Sequence, residues 1–248
     1  MLRDGPSGTY HYVPGIPAFS SGVVAASGWE IVHATLHAPV PWRAGFAQIE
    51  RHLQSQGRPR AALCGIELRS PAPFTFEGFD AFNQGYRALL AEWGILVGDD
   101  NPIPRTNVAP VTGAPAEPSL YGFAYTVPGA RAAPTFVVAG AGEMRDRARG
   151  AQGIVRLGDT SPEAMCEKAR FVMGIMRDRL KSLGGDWNRV TAIEVYTALP
   201  IDGALLAEIL GPAGAAAIHG IRWFPSRPPI QGLEFEVDMR GVARELLI

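Results

Sequence analysis

The feature that most constrains this chain is an order of secondary-structure signals that occurs twice. Residues before about 14 are rich in Gly and Pro and read as loop; residues 23–26 and 29–36 pattern as strands separated by a Ser27-Gly28 turn. Phe46, Ile49 and Leu53 recur at helical spacing, and Gly57 closes that helix. Residues 60–69 follow as a strand carrying Ala62, Cys64, Ile66 and Leu68 on one face. A second helix presents Phe79, Phe82, Tyr86, Leu89 and Trp93 along one side and ends near Gly94, and strands at 105–111 and 120–127 complete the half. After a breaker-rich linker at 128–134 the order resumes with an apolar strand at 135–140. A helix then starts at Ser161-Pro162-Glu163, where the serine caps, the proline suits the first turn and the glutamate favours the positive end of the dipole. Its buried stripe is Met165, Ala169, Val172, Met176, Leu180 and Leu183, closed by Gly184-Gly185. A strand at 190–197, a short helix at 204–210 and strands near 219–224 and 233–240 finish the chain. The first half thus reads strand-strand-helix-strand-helix-strand-strand, and the second repeats that order with one strand before its first helix. This predicts an α+β chain of two tandem copies, residues 1–127 and 128–248. Short turns between neighbouring strands argue against a simple parallel α/β sheet.

Composition narrows the function. With 47% hydrophobic and 19% charged residues the chain is globular, and a formal net charge of -1 offers no general attraction to nucleic acid. The two cysteines, Cys64 and Cys166, lie far apart without a CxxC pair, which fits a reducing compartment and no disulfide scaffold. His33 and His37 are four apart, yet the pattern around them is that of a strand, so no metal site is expected. No leader-like or bilayer-spanning run stands out, and a cytoplasmic protein without membrane partners is expected.

Several stretches, in order, resemble the RidA/YjgF family. Pro17-Ala18-Phe19-Ser20-Ser21-Gly22-Val23 looks like the family's opening segment, and Ile31-Val32-His33-Ala34-Thr35 like the strand that follows. Phe79-Asp80-Ala81-Phe82-Asn83-Gln84-Gly85-Tyr86 is similar to its second-helix motif, and Pro104-Arg105-Thr106-Asn107-Val108 to its arginine-bearing strand. In the second half, Phe136-Val137-Val138-Ala139-Gly140 and Gly232-Leu233-Glu234-Phe235-Glu236-Val237 resemble the Ser-Gly and closing Glu-x-Glu strands. The resemblance implies two RidA-like (chorismate-mutase-like) copies, each a mixed, mostly antiparallel sheet backed by two helices. It also implies self-association as a homotrimer or hexamer with sites in clefts between copies. A doubled chain is most similar to the longer aminomuconate deaminases of aromatic-compound degradation. That implies a cofactor-free hydrolase releasing ammonia from an enamine or imine acid, 2-aminomuconate or a chlorinated analogue. A chorismatase-like hydrolase and a non-catalytic small-ligand-binding module are the alternatives.

Such chemistry needs a cation to grip a carboxylate and a carboxyl group to move protons. Arg105 matches the family's carboxylate-binding arginine; without the resemblance it reads as a surface arginine at a strand start. Glu234 matches the catalytic glutamate and, with Glu236, lies on the polar face of an alternating strand, which by itself reads as a solvated face. The pattern is split: Tyr121 stands where the first half would carry its glutamate, and His219, with Arg222 three residues on, where the second would carry its arginine. Either one copy is a scaffold or the site is composite. Phe19, Asn107, Tyr121, Ala139, Gly140, His219 and Arg222 are the expected substrate-binding residues, with His219 or Arg222 supplying a second cation for a dicarboxylate.

Overall fold

Alternating apolar and polar residues gave strands whose partners the sequence did not name, and the pairing is where the architecture is decided. The computed structural model describes residues 1–130 and 133–248; the expected linker at 128–134 includes Arg131 and Ala132, which lie outside the described residues. The strands are β1 (Arg3–Asp4), β2 (Tyr10–Val13), β3 (Gly22–Ala25), β4 (Trp29–Pro41), β5 (Leu63–Arg69), β6 (Arg105–Pro110), β7 (Ser119–Pro128), β8 (Phe136–Gly142), β9 (Ala192–Tyr196), β10 (Arg222–Phe224), β11 (Ser226–Arg227), β12 (Glu236–Gly241) and β13 (Arg244–Leu247). The helices are α1 (Trp42–Ser55), α2 (Phe76–Glu92), α3 (Pro162–Ser182) and α4 (Gly203–Leu210). None of the described helices is long and apolar enough to cross a membrane.

The strands form a seven-stranded sheet, ordered β1-β2-β3-β8-β12-β9-β10, and a six-stranded sheet, ordered β11-β6-β5-β7-β4-β13. Within these, β6-β5-β7-β4 and β10-β9-β12-β8 have the same order and sense: the first pair is parallel and the next two are antiparallel. The α+β class expected from the sequence is what forms. α1 and α2 cover the outer face of the six-stranded sheet through Phe46, Ile49, Leu53, Tyr86 and Leu90. α3 covers the other sheet through the predicted stripe, from Met165 to Leu183. Its cap is as expected: Ser161 Oγ accepts the Ala164 N–H, with Pro162 opening the first turn. Between the sheets lies a third cluster, with Tyr10, Tyr12, Val23, Ile31, Cys64 and Ala124 contributed from both.

Two expectations fail at the N-terminus. The segment before residue 14 is not all loop, since β2 buries Tyr10 and Tyr12 completely. Nor do the strands flanking Ser27-Gly28 form a hairpin. Gly28 takes φ +80, but the chain there crosses from one sheet to the other: β3 pairs with β2 and β8, whereas β4 pairs with β7 and β13. β3 is buried along its whole length, so its pattern fixes a strand without fixing which sheet receives it. As a result β1–β3 extend the sheet built mainly from the second half, and β11 and β13 extend the one built from the first.

The closing strand also starts later than the alternation predicts. Leu233, Glu234 and Phe235 approach β12 without joining it, because the buried Glu143 carboxylate accepts the N–H groups of Glu234 (2.7 Å) and Phe235 (3.1 Å). Glu143 is held in turn by Lys168, whose Nζ donates at 3.1 Å; both side chains are fully buried. From Glu236 onward the alternation holds. Val237 and Met239 pack under α3, while Glu236, Asp238 and Arg240 point into the space between the sheets and are buried instead of solvated.

Candidate active site

That buried polar face borders a cavity of about 450 Å³, within the roughly 300–1,000 Å³ usual for small-molecule sites. Its walls come from the 14–21 segment, α2, β6, β8, α3 and residues 229–236, so both halves of the chain build it.

β6 presents Arg105 and Asn107 to the cavity at the i, i+2 spacing that puts strand side chains on one face. Arg105 Nη2 donates to Asn83 Oδ1 at 2.6 Å, which orients the guanidinium from α2. The rings of Phe19, Phe79, Phe82 and Tyr86 surround it, 4.7 to 5.6 Å from its central carbon. Arg105 Nη1 and Asn107 Nδ2 are buried and have no hydrogen-bond partner among the described residues. Buried donors left without acceptors are costly unless a ligand supplies the acceptors. A carboxylate matches that need. Burial lowers the Arg105 pKa to about 10, which leaves it cationic at neutral pH.

Glu236 enters the same cavity from the first residue of β12. Its carboxyl lies over the bare backbone of β8: a Cβ built on Gly140 would sit 2.2 Å from Glu236 Oε1. Glycine is required there for close approach, without any unusual backbone angle. Burial pushes the Glu236 carboxyl up to about 8; Arg179 and Arg105 pull it down and Glu143 pushes it further up. The group is therefore protonated at neutral pH and close to its titration point, which suits an acid that must become a base. Arg179, from α3, donates through Nη1 to the carbonyls of Ala139 (2.8 Å) and Gly140 (3.2 Å), and burial lowers its pKa to about 10. Arg147 also lines the cavity but is ion-paired with Asp80.

Of the residues singled out from sequence, Arg105, Phe19, Asn107 and Gly140 line this cavity, and Ala139 lies beside it with its carbonyl under Arg179. Glu234 does not line it. Turned away by the Glu143 contacts, its Oε2 meets Arg227 Nη1 at 3.2 Å. Glu236, two residues on, faces Arg105 and Arg179 electrostatically in its place. Tyr121, His219 and Arg222 are also elsewhere. Tyr121 stacks under the Arg69 guanidinium at 3.8 Å, Arg222 pairs with Glu245 at 2.7 Å and Glu194 at 3.4 Å, and His219 is exposed at the end of a 3₁₀ segment. Arg179 was missed because it lies off the apolar stripe of its helix, where an arginine reads as solvated surface. The glycines alternating at 140 and 142 were the one available hint that something packs on that backbone.

A second polar cluster sits deeper between the sheets. Glu67, Glu194 and Asp238 offer oxygens within 4.8 Å of one another. Arg240 fills it, with Nη2 2.7 Å from Glu194 and Nη1 3.7 Å from Glu67. His33 Nε2 lies 2.7 Å from Glu67 Oε1. Burial raises Asp238 well above the usual carboxylate range, with Glu194 and Glu67 adding to the effect; Thr106 and Tyr196 donate to its Oδ2. Burial also works against ionised Glu67, but His33, Arg240 and Arg69 outweigh it and hold that carboxyl below its ordinary range. The cluster is thus balanced by its own guanidinium and protons and ties the sheets together.

The chain is 42% identical over 244 residues to a 2-amino-5-chloromuconate deaminase of Comamonas testosteroni, covering 97% of this chain and 96% of the relative. Among solved structures it is similar to a chorismatase, with a TM-score of 0.51 and 12% identity over 90% of this chain and 77% of that one, a likeness of fold alone. Residues 2–246 match the family described as 2-aminomuconate deaminase CnbZ, and the chain belongs to that family.

Proposed function

We propose that this protein is a hydrolytic deaminase of a 2-aminomuconate-type enamine acid, halogenated or not. We further propose that it is built from two RidA-like copies whose opposed sheets share one composite site. The repeated β6-β5-β7-β4 and β10-β9-β12-β8 topology supports the two-copy reading. The observation that carries the catalytic reading is a buried Glu236, its carboxyl pushed up to about 8 by burial, in the same cavity as Arg105 and Asn107 with their unpartnered donors.

In this reading Arg105 and Asn107 take the carboxylate next to the amino-bearing carbon. Glu236 donates its proton to the enamine carbon, converting the C=C–NH₂ unit to an iminium. The resulting Glu236 carboxylate accepts a proton from water as the water oxygen bonds to the iminium carbon. That proton passes to nitrogen; as the C–N bond breaks with its electron pair leaving on ammonia, the new hydroxyl gives its proton to the Glu236 carboxylate and becomes the C=O, so Glu236 ends protonated. One water enters, one ammonia leaves and a 2-oxo acid remains, with no net oxidation or reduction. The low-dielectric setting that holds Glu236 near its titration point serves each of these proton transfers.

The test is to supply freshly generated 2-aminomuconate and follow ammonia release together with loss of the enamine absorbance. Turnover well above the spontaneous rate is expected; loss of substrate at the spontaneous rate in the presence of folded protein would overturn the proposal.

A further inference from the structure

The cavity holds more positive charge than a single carboxylate balances. Among the described residues, neither Arg105 nor Arg179 has a carboxylate within salt-bridge distance, whereas Arg147 at the same cavity is already paired with Asp80. Among the described residues that line the cavity, the one carboxyl group is that of Glu236, which burial pushes up to about 8. Two guanidinium groups facing one pocket without counter-charge are expensive to bury, and an anion of charge two is the ligand that offsets both.

Arg179 is also built to receive such a group. Its Nη1 is tied to the carbonyls of Ala139 and Gly140, which fixes the guanidinium against the backbone under Glu236. Its Nε and Nη2 carry no hydrogen bond to a described residue, so the planar fork remains available for a carboxylate. Arg105 comes from β6 and Arg179 from α3, so the two grips stand on separate rigid elements and Glu236 interacts electrostatically with both. The cations that the sequence offered for this task do not fit it: Arg222 is engaged by Glu194 and Glu245, and His219 is exposed outside the cavity.

We infer that Arg179 anchors the second carboxylate of a dicarboxylic substrate and makes the site selective for diacids over monoacids. The inference rests on the deaminase reading for the identity of the substrate, but its test does not require turnover. Muconate is an unreactive diacid, and sorbate is the same six-carbon diene with one carboxylate replaced by methyl. Calorimetric titration of the full chain is expected to show muconate binding about 10–100-fold tighter than sorbate, the range of one charge-assisted contact. R179M should bring muconate to the level of sorbate and leave sorbate within about 2-fold, because sorbate needs only Arg105. R179K, which keeps the charge and loses the fork, should fall between them, and it decides the matter if R179M does not fold. R177M removes an exposed arginine of the same helix that pairs with Asp178, and should match wild type.

Equal weakening of both acids by Arg179 variants, unchanged muconate binding in them, or no preference in wild type would each overturn the inference. Failure of wild type to deaminate 2-aminomuconate alongside the expected binding pattern would remove the enzymatic reading and leave the anchor standing. Normal turnover with unchanged muconate binding in R179M would do the reverse.

Discussion

Replacing Glu236 by Gln keeps the shape of the side chain and removes its proton chemistry, so it tests the central claim in two independent ways. As the acid and base of the reaction, Glu236 should account for a factor of about 10²–10⁴ in kcat, and E236Q should lose that factor while remaining folded. Activity of wild type should decline as pH rises past about 8, where the carboxyl loses the proton it must donate. Stability gives the second test. The residue is only 4% exposed, and burial raises its pKa from 4.5 to about 8. The difference, 8 minus 4.5, at about 1.36 kcal/mol per pH unit, is at most about 5 kcal/mol. Below about pH 4.5 the carboxyl is neutral in the folded and the unfolded chain, and this contribution to stability is fully present. Between about pH 4.5 and 8 the unfolded chain releases the proton while the folded chain keeps it, so stability falls as pH rises and the contribution is lost through the folded pKa near 8. E236Q does not titrate there. Its Tm should match that of wild type near pH 4.5 and exceed it increasingly toward pH 9, by up to roughly 10–20 °C at about 2–4 °C per kcal/mol. Calorimetry across that range, with turnover measured on the same samples, is the assay. A Tm difference independent of pH would refute the buried neutral carboxyl, and retained turnover would refute its catalytic role.

Three further outcomes follow from the geometry. G140A places a methyl where Glu236 Oε1 lies and should displace the carboxyl, lowering kcat by on the order of 10²-fold with Tm little changed, since the obstacle is the movable end of a side chain; unchanged kcat would show that the Glu236 position is unimportant. E234Q removes only a half-exposed pair with Arg227 and should keep turnover within about 3-fold of wild type, as exposed pairs contribute about 0–1 kcal/mol; a large loss would return the catalytic role to Glu234. K168M leaves the buried Glu143 carboxyl without its cation and should cost about 3–5 kcal/mol, read as a Tm drop in thermal unfolding; a loss below about 1 kcal/mol would mean that the pair does not hold the approach to β12.

The sequence by itself determined the kinds of element and several of the residues that line the cavity. The Ser161-Pro162 cap, the Met165–Leu183 stripe and the glycine stops at 57, 94 and 184 act through neighbours three or four residues away, so local spacing suffices to read them. Arg105 and Asn107 were legible because one short strand motif, residues 104–108, carries both, and Phe19 and Gly140 because each lies in a further stretch that resembles the family. That Glu236 and not Glu234 lines the cavity, that Arg179 lines it too, and that the chain crosses between the sheets at Gly28 were decided only in three dimensions. Periodicity tells which side chains share a face, but not what that face meets. The buried Glu143–Lys168 pair, 25 residues apart in sequence, delays β12 by capturing two backbone N–H groups, and so selects which glutamate reaches the cavity. Strand partners and the burial of a polar face depend on contacts between residues far apart in the chain, and a pattern that repeats every two residues contains no information about them.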